Sequence, residues 1–452
     1  MRVLRTNRLS ILFLFSTLIF VSCSKESDDP NPTEINVSTS DFSRIMDENP
    51  TNGQVIGNVQ GRTNQGTVIF SITEQNPAGA FSINSASGEL KVADASIFDF
   101  ETNPTISGTV NIANGAVSKN ALVTISLNDL NEENIFEGDI QLKTQAEVDA
   151  FGSHNYSAIT GHLIIGYTFG SIYSNITDLS PLEDLTSVGA EVVISHNGAL
   201  ESISGLENLS EIGNTLSIFD NPVLINLDGF QSITEIKKDL YIGYNDLLIN
   251  LNGLHNITKI KDNLSIESLF INNLNGLQNL TTVGSLYIAS NPNLENINSL
   301  SGLISLRYLL LIESNPSLVN LNALENIHST IARVEIYEND SLVNLNGLRN
   351  IGANRYLTIS GNKSLIDLSG LQSVTNIISR VLIEKNENIQ NLNGLENLQE
   401  VGYEMVVMQN INLSDFCAIT NLCVSGNIDN FYTETNAYNP TKQDIIDGNC
   451  SL

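Results

Sequence analysis

Residues 216–230 read LSIFDNPVLINLDGF, and this stretch decides the fold of most of the chain. Leu216 and Ile218 stand two positions apart, so in an extended strand both side chains point to the same face, which we predict to be the interior. Asn221 follows where the strand turns, and its amide can both donate to and accept from backbone groups there. Gly229 lets the chain bend where a side chain would clash.

The pattern recurs along the chain, mostly at intervals of 23 or 24 residues. One longer interval contains a repeat, Leu264–Glu267, in which Leu269 replaces the Asn. Such a period predicts stacked repeats, each giving one short strand to a parallel sheet, with the Asn side chains forming a ladder. The recurring residues are Asn197, Asn221, Asn245, Asn291, Asn315, Asn339, Asn362, Asn386 and Asn410.

This region resembles the leucine-rich-repeat family, and more closely the L domains of growth-factor receptors, in its Leu-x-Ile-x-x-Asn-x-x-Leu-x-x-Leu-x-Gly-Leu rhythm. The resemblance implies a right-handed β-solenoid over residues 160–412. It also implies an N-terminal cap over 135–159, in which Ile140–Phe151 is amphipathic, and a C-terminal cap over 413–452. Ser299 and Ala323 depart from the Gly position and mark imperfect repeats.

Three cysteines lie close to the C-terminus. Three is an odd number, so at most one bridge forms among them. Either Cys417 or Cys423 pairs with Cys450, and spacing does not choose between them. The segment around them resembles the disulfide-bearing terminal cap of bacterial leucine-rich-repeat proteins.

Short alternating runs separated by turn residues occupy residues 35–134. Their spacing is typical of a β-sandwich of roughly 100 residues, so the expected fold class of the whole chain is mainly β. The expected strands lie at 53–57, 67–72, 81–83, 89–92, 109–112 and 122–127.

Four elements of this segment, taken in order, resemble a cadherin repeat. They are Asp47-Glu48-Asn49, the run 81–90, Phe98-Asp99-Phe100-Glu101 and Asp129-Leu130-Asn131-Glu132. The resemblance implies Ca²⁺, which takes six to eight hard oxygen ligands at about 2.3–2.6 Å. Asp99 and Glu101 are two residues apart and point the same way in extended backbone. The implied ligands are Glu48, Asp99, Glu101, Asp129, Asn131 and Glu132; an acidic domain end without an ion is the alternative.

The N-terminus predicts export. Three arginines precede an apolar run, Ile11–Val21, of the length of a secretory signal core rather than a membrane span. Phe20-Val21-Ser22-Cys23 resembles a bacterial lipobox, which implies a signal peptide over 1–22 and an acylated Cys23. An acidic linker is expected over 23–34, and its run Lys25-Glu26-Ser27-Asp28-Asp29 resembles the export tag of surface lipoproteins. We therefore expect a lipid-anchored protein on the outer surface of the outer membrane.

Composition limits the function. The 452 residues carry 50 Asp and Glu against 21 Lys and Arg, a net charge of −29, which argues against nucleic acid and is compatible with divalent cations. No His-Glu-x-x-His, Gly-x-Ser-x-Gly or phosphate-binding Gly-Lys-Ser/Thr motif occurs in the sequence. We therefore expect no enzyme, although abundant carboxylates leave a glycosidase pair open by residue type.

A binding face is expected where strand side chains point outward. Phe219, Tyr241, Tyr244 and Tyr287 fall on neighbouring repeats, and grouped exposed aromatics suit a protein or glycan surface. Ordinary strand propensity of aromatic residues is the alternative. The leading hypothesis is a calcium-binding, cadherin-like stalk that presents a solenoid for adhesion or protein recognition. A glycan-binding accessory of a surface uptake system is second, and a hydrolase third. His196 is expected to be a surface turn residue.

Overall fold

The computed structural model describes residues 34–130 and 134–452. They form two compact units, which divide between Glu132 and Glu133. Both units are built mainly from β-strands. Within the described ranges, no helix is both long and apolar enough to cross a membrane.

Over residues 34–130, the first unit has nine strands. They are β1 (Val37–Thr39), β2 (Phe42–Asp47), β3 (Val55–Asn58), β4 (Gly61–Thr63), β5 (Ile69–Asn76), β6 (Phe81–Ile83), β7 (Glu89–Val92), β8 (Thr105–Asn114) and β9 (Val117–Asn128). All six strands expected from sequence are present. Strands β1, β2 and β4 were not predicted, because their sequences do not alternate apolar and polar residues: Ile45 in β2 is 69 % exposed.

Two sheets of the first unit share one core. One sheet has the order β2-β9-β8-β5 and the other β3-β7-β6, and β1 pairs with β4. Phe70 and Ile112 from the first sheet and Leu90 and Val92 from the second belong to the same buried cluster. Strands β2 and β9 run parallel, with Asp47 opposite Asn128 at their ends. This pairing brings the residues that follow both strands together.

The second unit contains the remaining strands and three short helices. The strands are β10 (Ile135–Phe136), β11 (Ile140–Leu142), β12 (Ala158–Ile159), β13 (Leu163–Gly166), β14 (Ser187–Val188), β15 (Val192–Ser195), β16 (Glu211–Ile212), β17 (Leu216–Phe219), β18 (Glu235–Ile236), β19 (Leu240–Gly243), β20 (Lys259–Ile260), β21 (Asn263–Glu267), β22 (Thr282–Ala289), β23 (Ser305–Glu313), β24 (Ser329–Tyr337), β25 (Ile351–Ser360), β26 (Asn376–Ile377), β27 (Arg380–Glu384), β28 (Glu400–Met408) and β29 (Asn427–Glu434). The helices are α1 (Gln145–Gly152), α2 (Thr420–Val424) and α3 (Lys442–Ile446).

Short 3-10 turns separate many of these strands. They lie at Ser180–Leu182, Asp228–Phe230, Asn252–Leu254, Asn298–Leu300, Asn322–Leu324, Asn346–Leu348 and Cys417–Ile419, and a further one in the first unit lies at Ala95–Ile97.

A large parallel sheet dominates the second unit. Each strand pairs with its equivalent in the next repeat, so that Leu216 lies opposite Leu240 and Ile218 opposite Ile242. The aliphatic residues of successive repeats, including Leu216 and Ile218, are fully buried in one continuous cluster. A separate four-stranded parallel sheet has the order β10-β12-β14-β16.

The predicted Asn ladder is present. The backbone N–H of Asn221 and its side-chain Nδ2 both donate to Oδ1 of Asn245, at 3.1 Å each. The same pair of bonds joins successive asparagines from Asn291 to Asn436. Leu269 interrupts the row, but its backbone N–H still donates to Asn291. The row thus satisfies backbone and amide groups that are wholly buried.

The residue before each ladder position adopts left-handed backbone. Examples are His196, Asp220 and Lys385, with φ of 54°, 55° and 57°. Only one of these positions, at Gly361, carries the glycine that this region favours. A column of mildly strained turns therefore runs beside the ladder.

The parallel sheet reaches both ends of the second unit. In the segment expected to be amphipathic, Ile140–Leu142 pairs in parallel with Leu163–Ile165, and the helix Gln145–Gly152 follows. At the other end, β29 pairs with β28 and Asn436 continues the ladder, so the sheet extends beyond residue 412. Of the two cysteine pairings left open, the structure contains Cys417–Cys450, and Cys423 is free and buried.

Candidate functional site

Three carboxylates meet at one end of the first unit. One oxygen each from Glu48, Glu101 and Asp129 can be chosen so that all lie within 4.8 Å of one another. Glu48 directly follows β2 and Asp129 directly follows β9, so the parallel pairing of these strands explains their proximity. Glu101 belongs to the loop that precedes β8.

Glu48 organises this end of the unit. Its side chain is 2 % exposed, and its two oxygens accept hydrogen bonds of 2.6 Å from the backbone N–H groups of Phe100 and Leu130. These bonds fix the loop that carries Glu101 and the segment that carries Asp129. A buried carboxylate bound in this way is held in position and keeps lone pairs free on both oxygens.

The charges of the cluster oppose one another. The backbone hydrogen bond at Glu101 lowers the pKa of its carboxyl group, whereas desolvation and the negative charges of Glu48, Asp129 and Asp99 raise it, and the net pKa is raised. A cation between the carboxylates would relieve this repulsion. Three carboxylates offer the hard oxygens that Ca²⁺ takes, so the residues present fit this ion.

The structure brings three of the six implied calcium ligands together. Glu48, Glu101 and Asp129 come together. Asp99 is not among the residues grouped in this cluster; its carboxylate accepts a 2.9 Å hydrogen bond from the Thr102 N–H in a local turn. Asn131 and Glu132 lie outside the described residues.

The predicted aromatic face is partly assembled. The rings of Phe219 and Tyr241 lie 5.8 Å apart. The pKa of Tyr241 is raised, chiefly because its hydroxyl is buried and also because it is hydrogen-bonded to Glu267. Tyr287 lies two strands further, with Ser265 between it and Tyr241 in register. Tyr244 is 51 % exposed and occupies a left-handed turn rather than a strand.

Much of the outward strand surface is more buried than the sequence suggested. Val193, Ser195 and Glu335 point outward, yet each is less than a tenth exposed. Parallel neighbours stand about 4.8 Å apart, so side chains on adjacent strands cover one another. Only part of the predicted face is therefore exposed.

His196 lies in a turn, as expected, but the sequence did not indicate its burial or its contacts. It is 8 % exposed rather than a surface residue, and its ring lies 5.7 Å from Phe219 and 6.0 Å from Tyr173. Its Nε2 lies 3.1 Å from Asp220 Oδ2, and Tyr173 donates to the other oxygen of the same carboxylate at 2.8 Å. The aromatic row is thus Tyr173, His196, Phe219 and Tyr241.

An insertion extends this row. Strand β13 ends at Gly166, but the chain reaches the following ladder position only at Ser174, whose hydroxyl donates to Asn197. The intervening loop carries Phe169 and Ile172, which are 88 % and 65 % exposed. Its start is fixed by the Ser195 hydroxyl, which donates to the Tyr167 carbonyl at 2.5 Å. In the sequence, this loop is indicated by the longer distance between the end of the strand and the next ladder position.

No protein-family model and no curated protein matches the sequence. Solved structures that match this chain include cadherin domains. Extracellular cadherin domains 1–5 of protocadherin gamma B2 are 18 % identical with a TM-score of 0.20, over 22 % of this chain and 20 % of that one. The third cadherin domain of human protocadherin 7 is 16 % identical with a TM-score of 0.20, over 24 % of this chain and 98 % of that one. Domains EC22–24 of mouse cadherin-23 are 18 % identical with a TM-score of 0.19, over 25 % and 39 %. The chain thus spans about a fifth of the first of these structures.

Proposed function

We propose that this protein is a non-enzymatic surface lipoprotein, anchored through Cys23 in the outer membrane. In chain order, a calcium-binding, cadherin-like unit follows the anchor, and a right-handed solenoid of the leucine-rich-repeat type follows that unit. The solenoid binds a protein on another cell or in the matrix. The observation that carries the proposal is the patch of exposed apolar side chains Phe169, Ile172 and Tyr173, which leads into the aromatic row through Tyr173, because grouped exposed apolar side chains mark recognition surfaces.

The calcium part of the proposal rests on Glu48, Glu101 and Asp129. Bound Ca²⁺ would neutralise these carboxylates and tie together the ends of β2 and β9 and the loop before β8. The metal would therefore have a mechanical role, and this role requires no catalytic residue beside the acidic cluster.

A calcium titration of the full chain tests this part. We expect Ca²⁺ to raise the melting temperature, and the double variant Glu101→Gln, Asp129→Asn to abolish the shift. The pair Glu34→Gln, Glu74→Gln removes two exposed carboxylates elsewhere in the unit and should keep the shift. A parent protein that does not respond to Ca²⁺ would remove calcium from the proposal.

Binding of labelled full-length protein to intact cells tests the recognition part. Ile172→Ser should reduce binding, whereas Ile249→Ser should not. The two isoleucines are each 65 % exposed, so the comparison separates a specific patch from general surface hydrophobicity. Equal binding by both variants and the parent would argue against recognition through this patch.

Glycan binding is the second candidate. Tyr244 is 51 % exposed beside the aromatic row, and exposed tyrosines bind the apolar faces of sugar rings. On a glycan array, Tyr244→Ala should then lose signal, while Tyr432→Ala, which removes a ring that is 54 % exposed, should retain it.

The lipid anchor is tested with the variant Cys23→Ser, which should be released from the membrane fraction of cells. Continued tight association of this variant with the membrane would contradict the anchor.

A further inference from the structure

Arginine is concentrated in one part of the second unit. All five of its arginines lie between residues 307 and 380, in a chain whose net charge is −29. Four of them lie on four successive main-sheet strands, one per strand: Arg307 in β23, Arg333 in β24, Arg355 in β25 and Arg380 in β27.

Register brings these side chains together. Arg333 lies opposite Tyr356, and Tyr356 lies opposite Arg380, on three neighbouring strands. The guanidinium groups of Arg333 and Arg355 lie 5.2 and 5.6 Å from the centre of the Tyr356 ring. Adjacent parallel strands are about 4.8 Å apart, so Arg333 and Arg380 flank Tyr356 on either side, and Arg355 adjoins Tyr356 on the same strand.

Only part of this charge is neutralised. Arg333 pairs with Glu335 at 2.6 Å, and Arg380 Nε lies 2.9 Å from Glu404 Oε1. Among the described residues, no carboxylate lies within salt-bridge distance of Arg355 or Arg307, and both are exposed. The patch therefore retains positive charge that an anion can approach from solvent.

The surroundings support this electrostatic picture. A hydrogen bond with Ser379 and the charges of Arg355 and Arg333 lower the pKa of the Tyr356 hydroxyl. Tyr308 and Tyr403, which are 55 % and 61 % exposed, lie on flanking strands. The patch thus places guanidinium groups around the Tyr356 ring, with further exposed rings on the neighbouring strands.

We propose that Arg333, Arg355, Tyr356 and Arg380 bind an anionic polysaccharide, in which several acidic groups lie close enough together to reach more than one arginine of this cluster. Planar guanidinium groups match carboxylates and sulfates in pairs of hydrogen bonds. The tyrosine rings contact the apolar faces of the sugars. This site lies on different strands from the aromatic row and does not depend on it.

An acidic peptide is the less favoured partner. A peptide that binds a sheet commonly adds itself as a strand to a free edge. Here β25 is already paired on both sides, with β24 and β27, so it offers no free edge. Side-chain contacts to a repeating charged polymer use this surface more completely.

The test measures binding of the full chain to polygalacturonate, dextran sulfate, uncharged dextran and poly-glutamate. We expect binding to one or both anionic polysaccharides, none to dextran, and weakening as salt is added. A preference for polygalacturonate assigns carboxylates, and a preference for dextran sulfate assigns sulfates. Equal or tighter binding to poly-glutamate, or no binding to either anionic polymer, would overturn the proposal.

Arg355→Gln is the decisive variant, because this residue is exposed and its removal leaves no carboxylate unpaired. Loss of a charged hydrogen-bonded pair should weaken binding about tenfold. Arg349→Gln makes the same change in net charge but at an exposed residue that pairs with Glu325. It should bind as the parent does; an equal loss in both variants would show only a general charge effect and would sink the assignment.

Discussion

The side-chain amide of Asn291 donates a 3.1 Å hydrogen bond to Oδ1 of Asn315, which lies 24 residues further along the chain. The same oxygen accepts the backbone N–H of Asn291 at 3.2 Å. One side chain therefore closes the turn of the preceding repeat and fixes its distance from the next. The same bonds recur along the row and couple the repeats to each other, so removal of one asparagine side chain should affect the repeats on both sides of it.

Asn315→Ala should lower the free energy of unfolding by about 2–4 kcal/mol, because it leaves buried groups on both sides without partners. Denaturant unfolding measures this loss. Asn326→Ala removes a single exposed bond, to the Ser301 carbonyl, and should cost about 0.5–1 kcal/mol. Equal costs for the two variants would contradict a special role for the ladder.

Glu101→Gln should raise the melting temperature of the metal-free protein at neutral pH. The folded pKa of Glu101 is raised, so the folded state holds the proton more tightly, and ionisation removes stability as the pH rises through that pKa. Well below the ordinary value of 4.5, parent and variant should melt alike. With Ca²⁺ present the order should reverse. A variant that is less stable than the parent in chelator at neutral pH would contradict repulsion within the cluster.

Gly253→Ala should cost about 1–3 kcal/mol, because an added Cβ would lie 1.6 Å from the Leu227 carbonyl oxygen of the preceding repeat. The backbone must shift to accept it. Ala323 occupies the corresponding position of a repeat that already tolerates a Cβ. Ala323→Gly should therefore change stability by only about 0.5–1 kcal/mol. The two changes are compared by thermal or denaturant unfolding, and a tolerated Gly253→Ala would show that repeat spacing adjusts freely.

Cys417→Ser with Cys450→Ser should lower stability by about 3–4 kcal/mol, because the bridge closes a loop of 33 residues in the unfolded chain. Cys423 offers a chemical control. Burial raises the pKa of its thiol to about 11, so it should resist alkylation in the folded protein and react after unfolding. Rapid labelling of Cys423 in the folded parent would contradict the observed pairing.

The ladder and the aliphatic core were predictable because they depend on local periodicity. Leu216, Ile218 and Asn221 each have a role that the spacing alone assigns. Glu48 and Asp129 were expected at one metal site only through the cadherin resemblance, and no local pattern in the sequence places them side by side. Their contact depends on the parallel pairing of β2 with β9, and β2 itself was not expected from its sequence.

Other features depended on contacts that residue type and spacing do not show. His196 follows a strand like any turn residue, and only the ring of Tyr173 and the carboxylate of Asp220 explain its burial. Asp99 shares the chemistry of Glu101, yet its local turn with Thr102 directs its carboxylate elsewhere. Residue type and spacing could not distinguish these outcomes.

The sequence by itself determined that about 24-residue repeats stack through buried asparagines, because every repeat carries the same short-range instructions. Tertiary structure decided which cysteines pair, which carboxylates meet and which arginines share a face. The physical reason is that strand register sets the distance between side chains that are 23 or more residues apart, and no local pattern contains that register.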